Sequence, residues 1–343
     1  MTHAVTLRDL KKTFRTRAPS APSLMGALRG LVSRKCTEFR AVDGISFSIE
    51  EGERVAFIGP NGAGKSTTLK ILSGILQPDA GEVRVLGLIP AQDRERLGYR
   101  IGTVFGQRTQ LWQHLPASDT FRLLARIYDL PPALYRARLD ALVDAFTLTP
   151  LLAQPVRKLS LGERMRCEIA ASLLHSPRLL FLDEPTIGLD ATAKARVRQL
   201  VRAQSERDGT SVLLTSHDTA DSEQVCERVI VINHGKLLFD QSLSTLRARF
   251  IQHKRVTLVS DQPSLEVNLP GVRVVEREPY KTRLEVEIRV TPVARVVEAA
   301  LALCTLHDLT VEDPPLEHIV QAIYATAQAS SEAPVTPPLA EAS

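Results

Sequence analysis

One short segment of the chain reads Gly59-Pro60-Asn61-Gly62-Ala63-Gly64-Lys65-Ser66-Thr67, which fits the pattern G-x-x-x-x-G-K-[ST]. An apolar run, Val55 to Ile58, precedes it, and a helical pattern follows it. This order predicts a strand, a glycine-rich turn and a helix whose first N–H groups face an anion. We expect Lys65 to reach the β- and γ-phosphates of a nucleotide and the Ser66 hydroxyl to ligate Mg²⁺. The alternative is an ordinary glycine-rich turn before a helix.

The bulk composition is that of a globular protein. The chain has 343 residues, 44% of them hydrophobic and 24% charged, and a net charge of +4. This length allows one large and one small domain, and the modest charge gives no sign of a nucleic-acid partner. No secretory signal and no run of about 18 apolar residues is present, so we expect neither secretion nor a membrane span. A zinc site or a disulfide framework is not expected, because the cysteines are widely spaced: Cys36, Cys167, Cys226 and Cys304.

Strand-like and helical runs alternate along the first 250 residues. They predict an α/β domain over residues 1–250, with a strand-rich entry, a mostly parallel sheet covered on both faces, and a helical segment over residues 107–176. The predicted strands cover residues 4–14, 45–49, 55–58, 82–87, 98–105, 179–182, 211–215 and 229–232.

Residues 15–40 are predicted to be an insertion before the second strand. Their basic residues and the helical spacing of Leu24, Leu28, Leu31 and Val32 allow two interpretations. The segment could form an amphipathic helix near anionic lipid or a partner, or its leucines could pack on their own domain. The second interpretation is favoured.

The periodicity changes after residue 250. Residues 283–290 alternate strictly between polar and apolar, and two helical stripes follow, which predicts a small α+β domain over residues 251–326. No catalytic cluster occurs there, so an accessory, regulatory or dimer-supporting role is expected. Residues 327–343 are rich in Ala, Ser, Pro and Glu and are predicted to be a disordered tail.

Asp183 and Glu184 directly follow the apolar run of residues 179–182. Side chains in this position lie at the carboxyl edge of a parallel sheet, where ligands of doubly wound folds bind. Asp183 is a candidate Mg²⁺ ligand beside Ser66, and Glu184 a candidate base that deprotonates an attacking water. A solvated strand end is the alternative for this pair taken alone.

Further motifs follow in a characteristic order: Gln107, Ser160-x-Gly162, Asp183-Glu184, Gly188-Leu189-Asp190 and His217. With the phosphate loop, this order resembles the nucleotide-binding domain of ABC transporters, over about residues 4–245. The resemblance implies a P-loop NTPase core that binds ATP and Mg²⁺. It also implies that two domains pair head-to-tail around two ATP molecules.

The resemblance also assigns roles to individual residues. Ser160 and Gly162 would contact the γ-phosphate bound by the partner domain, and His217 would bind the γ-phosphate in its own domain. Gln107 would contact Mg²⁺ or the attacking water and relay occupancy to a membrane partner. Asp190 would lie in the loop that crosses the dimer interface, cap the following helix, or both. Leu161 and Glu163 depart from the family's L-S-G-G-Q, which leaves altered coupling open.

Two aromatic residues upstream of the phosphate loop could stack on adenine, as the family's aromatic residue does. Phe14 precedes the helical leucines of the insertion and Phe39 follows them. Phe14 is favoured because residues 12–15 have the pattern expected at the end of the first strand.

Residues 104–112 and 161–167 resemble the ATP-binding subunits of type-2 ABC exporters related to daunorubicin-resistance ATPases. This implies an ATPase on the inner face of the cell membrane that powers export through separate permease subunits, with a second ATP-binding subunit and without nucleic acid. The main alternative is a non-transport ABC ATPase acting on nucleic acid or ribosomes, although such proteins carry a long coiled coil or two cassettes. A small-molecule kinase would not need Ser160, Gly162 or His217.

Overall fold

The computed structural model describes residues 3–17, 36–106, 109–216, 218–250 and 253–331. The chain divides into two compact units, Met1–Gln241 and Ser242–Ser343. The boundary predicted after residue 250 lies later than this division, because helix Leu243–Phe250 groups with the second unit. No helix among the described residues is long and apolar enough to cross a membrane.

The first unit contains nine strands and seven α-helices among its described residues. Its strands are β1 His3–Arg17, β2 Cys36–Glu50, β3 Arg54–Ile58, β4 Ala80–Val85, β5 Ile101–Phe105, β6 Leu179–Asp183, β7 Ser211–Ser216, β8 Arg228–Asn233 and β9 Lys236–Ser242, which ends at the division. Its helices are α1 Lys65–Leu72, α2 Arg94–Gly98, α3 Ala117–Ile127, α4 Pro132–Phe146, α5 Leu161–Leu173, α6 Ala191–Asp208 and α7 Thr219–Val225, with a 3₁₀ turn at Val156–Lys158.

A six-stranded sheet in the order β5-β6-β7-β3-β8-β9 forms the centre of this unit. The pairs from β5 to β8 are all parallel. Strands β3 and β7 are buried along their whole length, which explains their continuous apolar runs. The predicted α/β fold is confirmed. Because the strands are parallel, residues that follow β3, β5, β6 and β7 meet at one edge.

A second, antiparallel sheet in the order β2-β1-β4 forms the strand-rich entry. Strands β1 and β2 pair as far as Arg17 and Cys36. The ends of the predicted insertion, residues 15–17 and 36–40, are therefore strand, because the pairing of β1 with β2 continues into them. Residues 18–35, with the predicted helical leucines, lie outside the described residues.

The helical segment between β5 and β6 contains α3, α4, the 3₁₀ turn and α5. Phe121 of α3 and Phe146 of α4 are fully buried, as their periodicity predicts. The predicted strand over residues 98–105 begins later, at Ile101, because Arg94–Gly98 forms a helix.

The second unit has four strands and three helices among its described residues: α8 Leu243–Phe250, β10 His253–Ser260, β11 Val272–Glu278, β12 Lys281–Glu287, α9 Val293–Leu303, β13 Leu306–Glu312 and α10 Leu316–Ser331. The antiparallel sheet has the order β11-β12-β10-β13, and Val256 and Leu284 from its strands pack with Val296 of α9. The predicted α+β class is confirmed. Helix α10 extends to Ser331, so the predicted tail was placed too early; its remainder lies outside the described residues.

Candidate functional site

In the phosphate loop between β3 and α1, glycines allow a backbone conformation in which N–H groups can face an anion. Gly62 and Gly64 have φ values of 82° and 106°, a region that L side chains rarely adopt. A Cβ at Gly64 would also lie 2.3 Å from the carbonyl oxygen of Ala41. The loop therefore brings its N–H groups to the start of α1, where a helix dipole favours an anion.

Lys65, the first residue of α1, is almost fully buried. Its Nζ donates hydrogen bonds to the carbonyl oxygens of Gly59 at 2.6 Å and Pro60 at 3.2 Å. It also lies 3.8 Å from Oε1 of Glu184. Burial lowers the pKa of Lys65, while the nearby carboxylates of Glu184 and Asp183 oppose this shift. The loop thus holds an ammonium group beside the carboxylates that follow β6.

Asp183 joins three elements through one oxygen atom. Its Oδ1 accepts a hydrogen bond from Ser66 Oγ at 3.1 Å and another from Thr215 Oγ1 at 2.6 Å. Ser66 and Asp183 thus present oxygen ligands of the kind that Mg²⁺ prefers. Mg²⁺ is commonly bound by one or two carboxylates together with substrate phosphates. Within the described ranges, no group of three or more His, Cys, Asp or Glu could hold a metal by itself.

Glu184 occupies a sharp turn after β6, with a φ of 53° that is uncommon for a residue other than glycine. Its N–H donates to both oxygens of Thr215, the carbonyl at 3.0 Å and the hydroxyl at 3.2 Å. The Thr215 hydroxyl therefore donates to Asp183 and accepts from Glu184. Thr215 therefore holds the carboxylate of Asp183 and the backbone of Glu184, a role that its strand pattern in the sequence does not predict.

Gly106, the residue after β5, makes a contact that its local sequence pattern does not predict. Its N–H donates to the carbonyl oxygen of Asp183 at 2.8 Å, and a Cβ at this position would lie 2.5 Å from the carbonyl oxygen of Glu184. Glycine is required by this close approach. Gln107 and His217 themselves lie outside the described residues, although Gly106 precedes the first and Ser216 and Asp218 flank the second.

A buried ionic network joins the end of β7 to two neighbouring elements. Asp221 accepts hydrogen bonds from Ser216 Oγ at 2.7 Å, from Arg198 Nε at 2.5 Å and from the Thr186 hydroxyl. These partners belong to the end of β7, to α6 and to the turn after Glu184. Because Asp221 is fully buried, losing one of these bonds would leave a polar group unsatisfied.

Ser160 is the N-cap of α5 and forms a capping box with Glu163. The Ser160 hydroxyl accepts from the N–H of Glu163 at 3.3 Å, and the Glu163 carboxylate accepts from the N–H of Ser160 at 2.8 Å. The departure from L-S-G-G-Q at residue 163 therefore stabilises the helix start, and the Ser160 hydroxyl keeps its own proton to donate.

Ser160 and Gly162 line a cleft of about 500 Å³, together with Asp190. A Cβ at Gly162 would lie 3.0 Å from the Cβ of Ala193, so glycine allows α5 to pack closely on α6. Asp190 caps α6 by accepting from the N–H of Ala193 at 2.9 Å. Within the part of the chain that the structure describes, no hydrogen bond joins Ser160 or Gly162 to the phosphate loop.

Phe14 and Phe39 are directly paired across β1 and β2. Opposite residues of an antiparallel pair project from the same face, so both rings lie on one side of this sheet. Both are partly exposed, Phe14 by 38% and Phe39 by 51%, and the Lys12 ammonium lies 5.8 Å from the centre of the Phe14 ring. Either ring, or both, can offer a flat apolar surface to a base.

Comparison with known proteins places these features in a family. The family model for ABC transporters matches residues 42–187. Daunorubicin resistance ATP-binding protein DrrA3 of Streptomyces coeruleorubidus is 36% identical over 209 residues, which are 61% of this chain and 66% of that protein. Nod factor export ATP-binding protein I of Ralstonia nicotianae is 36% identical over 199 residues, 58% of this chain and 61% of that protein. The chain spans less than two thirds of both relatives.

Two further matches cover more of the proteins concerned. Daunorubicin resistance ATP-binding protein DrrA2 of Streptomyces coeruleorubidus is 31% identical over 285 residues, 82% of this chain and 88% of that protein. A dimeric ATP-binding cassette solved in a post-hydrolysis state with ADP and Pi is 25% identical, with a TM-score of 0.58 over 70% of this chain and 98% of that one. With its phosphate loop, its paired carboxylates and its capped Ser160 helix, the chain belongs to the ABC transporter family of ATP-binding proteins.

Proposed function

We propose that this chain is the ATP-binding and ATP-hydrolysing subunit that powers an ABC exporter through separate membrane permease subunits. The observation that carries the proposal is the convergence of Ser66, Asp183, Glu184 and Thr215 beside the buried Lys65. Each of the first three has the chemistry that phosphoryl transfer to water requires, and Thr215 holds two of them in place.

In this proposal, Lys65 exchanges its bonds to the Gly59 and Pro60 carbonyls for phosphate oxygens. Ser66 and Asp183 would hold Mg²⁺, which neutralises charge on the β- and γ-phosphates when bound. The Glu184 carboxylate, on the turn that follows β6, accepts a proton from the attacking water. Gln107 would contact that water or the metal, and His217 the γ-phosphate.

The proposal requires a second ATP-binding subunit, either another copy of this chain or a paralogue. The N-terminus of α5 would present the Ser160 hydroxyl and the Gly162 N–H to the γ-phosphate bound by its partner. Two observations support this arrangement. Neither residue bonds to its own phosphate loop among the described residues, and the similar cassette bound to ADP and Pi was solved as a dimer.

The direction of transport is inferred from relatives named for drug resistance and for Nod factor export. The resemblance to these relatives is also our basis for proposing a permease of the type-2 class and a position on the inner face of the cell membrane. Helices able to cross a membrane are absent from the described residues, so the proposal assigns the transport path to other subunits.

Copurification with an ATPase assay tests the proposal. The full chain, expressed in its native host with a tag, should be recovered with a polytopic membrane protein and should hydrolyse ATP in a Mg²⁺-dependent way. Recovery with ribosomes or DNA instead would overturn the assignment to transport. Failure to bind or hydrolyse ATP would overturn the assignment as an ATPase.

A further inference from the structure

Asp79, the residue directly before β4, is bonded to three consecutive residues of β1. Its carboxylate accepts a hydrogen bond from the Lys12 ammonium at 2.7 Å and another from the N–H of Thr13, also at 2.7 Å. Its own N–H donates to the carbonyl oxygen of Lys11 at 2.9 Å. One residue of this turn thus holds the part of β1 that comes immediately before Phe14.

These bonds lie where the regular pairing of β1 is interrupted. Strand β4 pairs with β1 only as far as Ala80, which lies opposite Lys11. The register between β1 and β2 then shifts between Lys12 and Thr13. Irregularities of this kind change the direction in which the following side chains point. Because Asp79 bonds to the residue on each side of the shift, it restrains the direction of the next side chain, Phe14.

The Phe14 ring lies close to the phosphate loop. The carbonyl oxygen of Ala41 in β2 is so near to Gly64 of the loop that a Cβ there would lie 2.3 Å from it. The next residue, Val42, pairs with Lys12, which is two positions from Phe14. Two residues of a strand span about 7 Å. A nucleotide whose phosphates occupy the loop can therefore bring its base to this ring.

The Lys12 ammonium connects Asp79 to the ring. It lies 5.8 Å from the centre of the Phe14 ring, within the range of a cation–π attraction. The hydrogen bonds from Lys12 and from the N–H of Thr13 hold the pKa of Asp79 below its usual value, which keeps the carboxylate ionised. An exposed ion pair adds little to stability, so we expect its effect in nucleotide binding rather than in unfolding.

We infer that Asp79 is a positioning residue for the base of the bound nucleotide, because it restrains the Phe14 ring through Lys12 and Thr13. This inference rests on the proposed function, in which the chain binds ATP. Asp79 itself makes no contact with the nucleotide in this account. Its loss should therefore weaken binding through the base alone and leave the phosphate contacts of the loop unchanged.

Two probes test the inference by titration calorimetry on the full chain: MgATP, and magnesium tripolyphosphate, which carries phosphates without a base. Asp79→Ala should weaken MgATP binding by about three- to tenfold and change tripolyphosphate affinity by less than about twofold. Asp79→Asn keeps an acceptor for the N–H of Thr13 and should lose less. Glu82→Ala is the matched control, because it removes an exposed carboxylate bonded to Arg84 of its own strand; it should bind both probes as the wild type does.

A double variant and the kinetics give two further readouts. If Asp79 acts through the ring, Phe14→Ala combined with Asp79→Ala should bind MgATP no more weakly than Phe14→Ala alone. In steady-state hydrolysis, Asp79→Ala should raise KM for MgATP and keep kcat within about twofold of the wild-type value, because Asp183 and Glu184 are untouched.

The outcomes separate the inference from the proposed function. Wild-type MgATP affinity in folded Asp79→Ala would overturn the inference, as would equal losses for the two probes or a double variant whose loss is the product of the single losses. An unaffected Phe14→Ala would also overturn it, because Asp79 would then have no ring to position. A wild-type chain that does not bind ATP would overturn the proposed function instead. If tripolyphosphate binds too weakly to measure, the double variant decides, and if Asp79→Ala fails to fold, Asp79→Asn takes its place.

Discussion

Thr215→Val should impair catalysis although residue 215 touches neither nucleotide nor metal in the proposed mechanism. Valine has nearly the same shape as threonine but lacks the hydroxyl. The change removes the donor that lies 2.6 Å from Asp183 Oδ1 and one of the two acceptors for the Glu184 N–H. The other acceptor, the carbonyl oxygen of residue 215, remains at 3.0 Å. The main loss is therefore one hydrogen bond to a carboxylate.

The size of the effect follows from that bond. A hydrogen bond to a charged group contributes about 1.5–3 kcal/mol, and residue 215 is fully buried, so water cannot replace the hydroxyl. If Asp183 must be held in the transition state, this free energy corresponds to a roughly tenfold to hundredfold loss of kcat/KM for MgATP. The apparent affinity for Mg²⁺ should fall in the same direction.

The assay is steady-state ATP hydrolysis at varied Mg²⁺, with thermal unfolding measured on the same preparations. Thr215→Ser keeps the hydroxyl and is the control; it should retain most of the activity. A folded Thr215→Val protein with wild-type kcat/KM and wild-type Mg²⁺ dependence would refute the reasoning, because it would show that the hydroxyl does not position Asp183 or Glu184.

The other predictions concern nucleotide binding, measured by titration with a fluorescent ATP analogue. Lys65→Ala should weaken binding itself, and wild-type affinity would remove the phosphate contact from Lys65. Gly64→Ala should abolish binding, because its Cβ would lie 2.3 Å from the Ala41 carbonyl oxygen; tight binding would show that the loop can rearrange. Phe14→Ala should weaken binding by about 1–3 kcal/mol if its ring stacks on adenine, and an unaffected Phe14→Ala beside a weakened Phe39→Ala would reverse the preferred assignment.

The sequence predicts the central architecture well because its signals are local. The phosphate loop lies between a buried strand and a helix, and Asp183 and Glu184 follow β6, as their patterns indicate. Because the strands are parallel, the segments that follow them meet at one edge of the sheet. Predicting this part of the site requires only the rule that the carboxyl ends of parallel strands meet at one edge of a sheet.

The supporting contacts could not be predicted in the same way. Thr215 and Asp221 bond to partners far away in the chain, and nothing in their local pattern distinguishes them from other strand or helix residues. The pairing of Phe14 with Phe39 depends on the register of two strands separated by residues 18–35. The extension of α10 to Ser331 shows a different limit, because an alanine-rich composition is compatible with both a helix and a tail.

ATP-dependent dimerisation of the Glu184→Gln chain tests the central claim most directly. The claim is that one phosphate loop is half of a nucleotide site, and that Ser160 and Gly162 of a partner complete it. Size-exclusion chromatography with light scattering, on a Glu184→Gln protein that binds ATP without rapid hydrolysis, should show a monomer without nucleotide and a dimer with it, and Ser160→Ala should weaken that dimer. A Glu184→Gln protein that stays monomeric at saturating ATP, or hydrolyses ATP at the wild-type rate, would contradict the account.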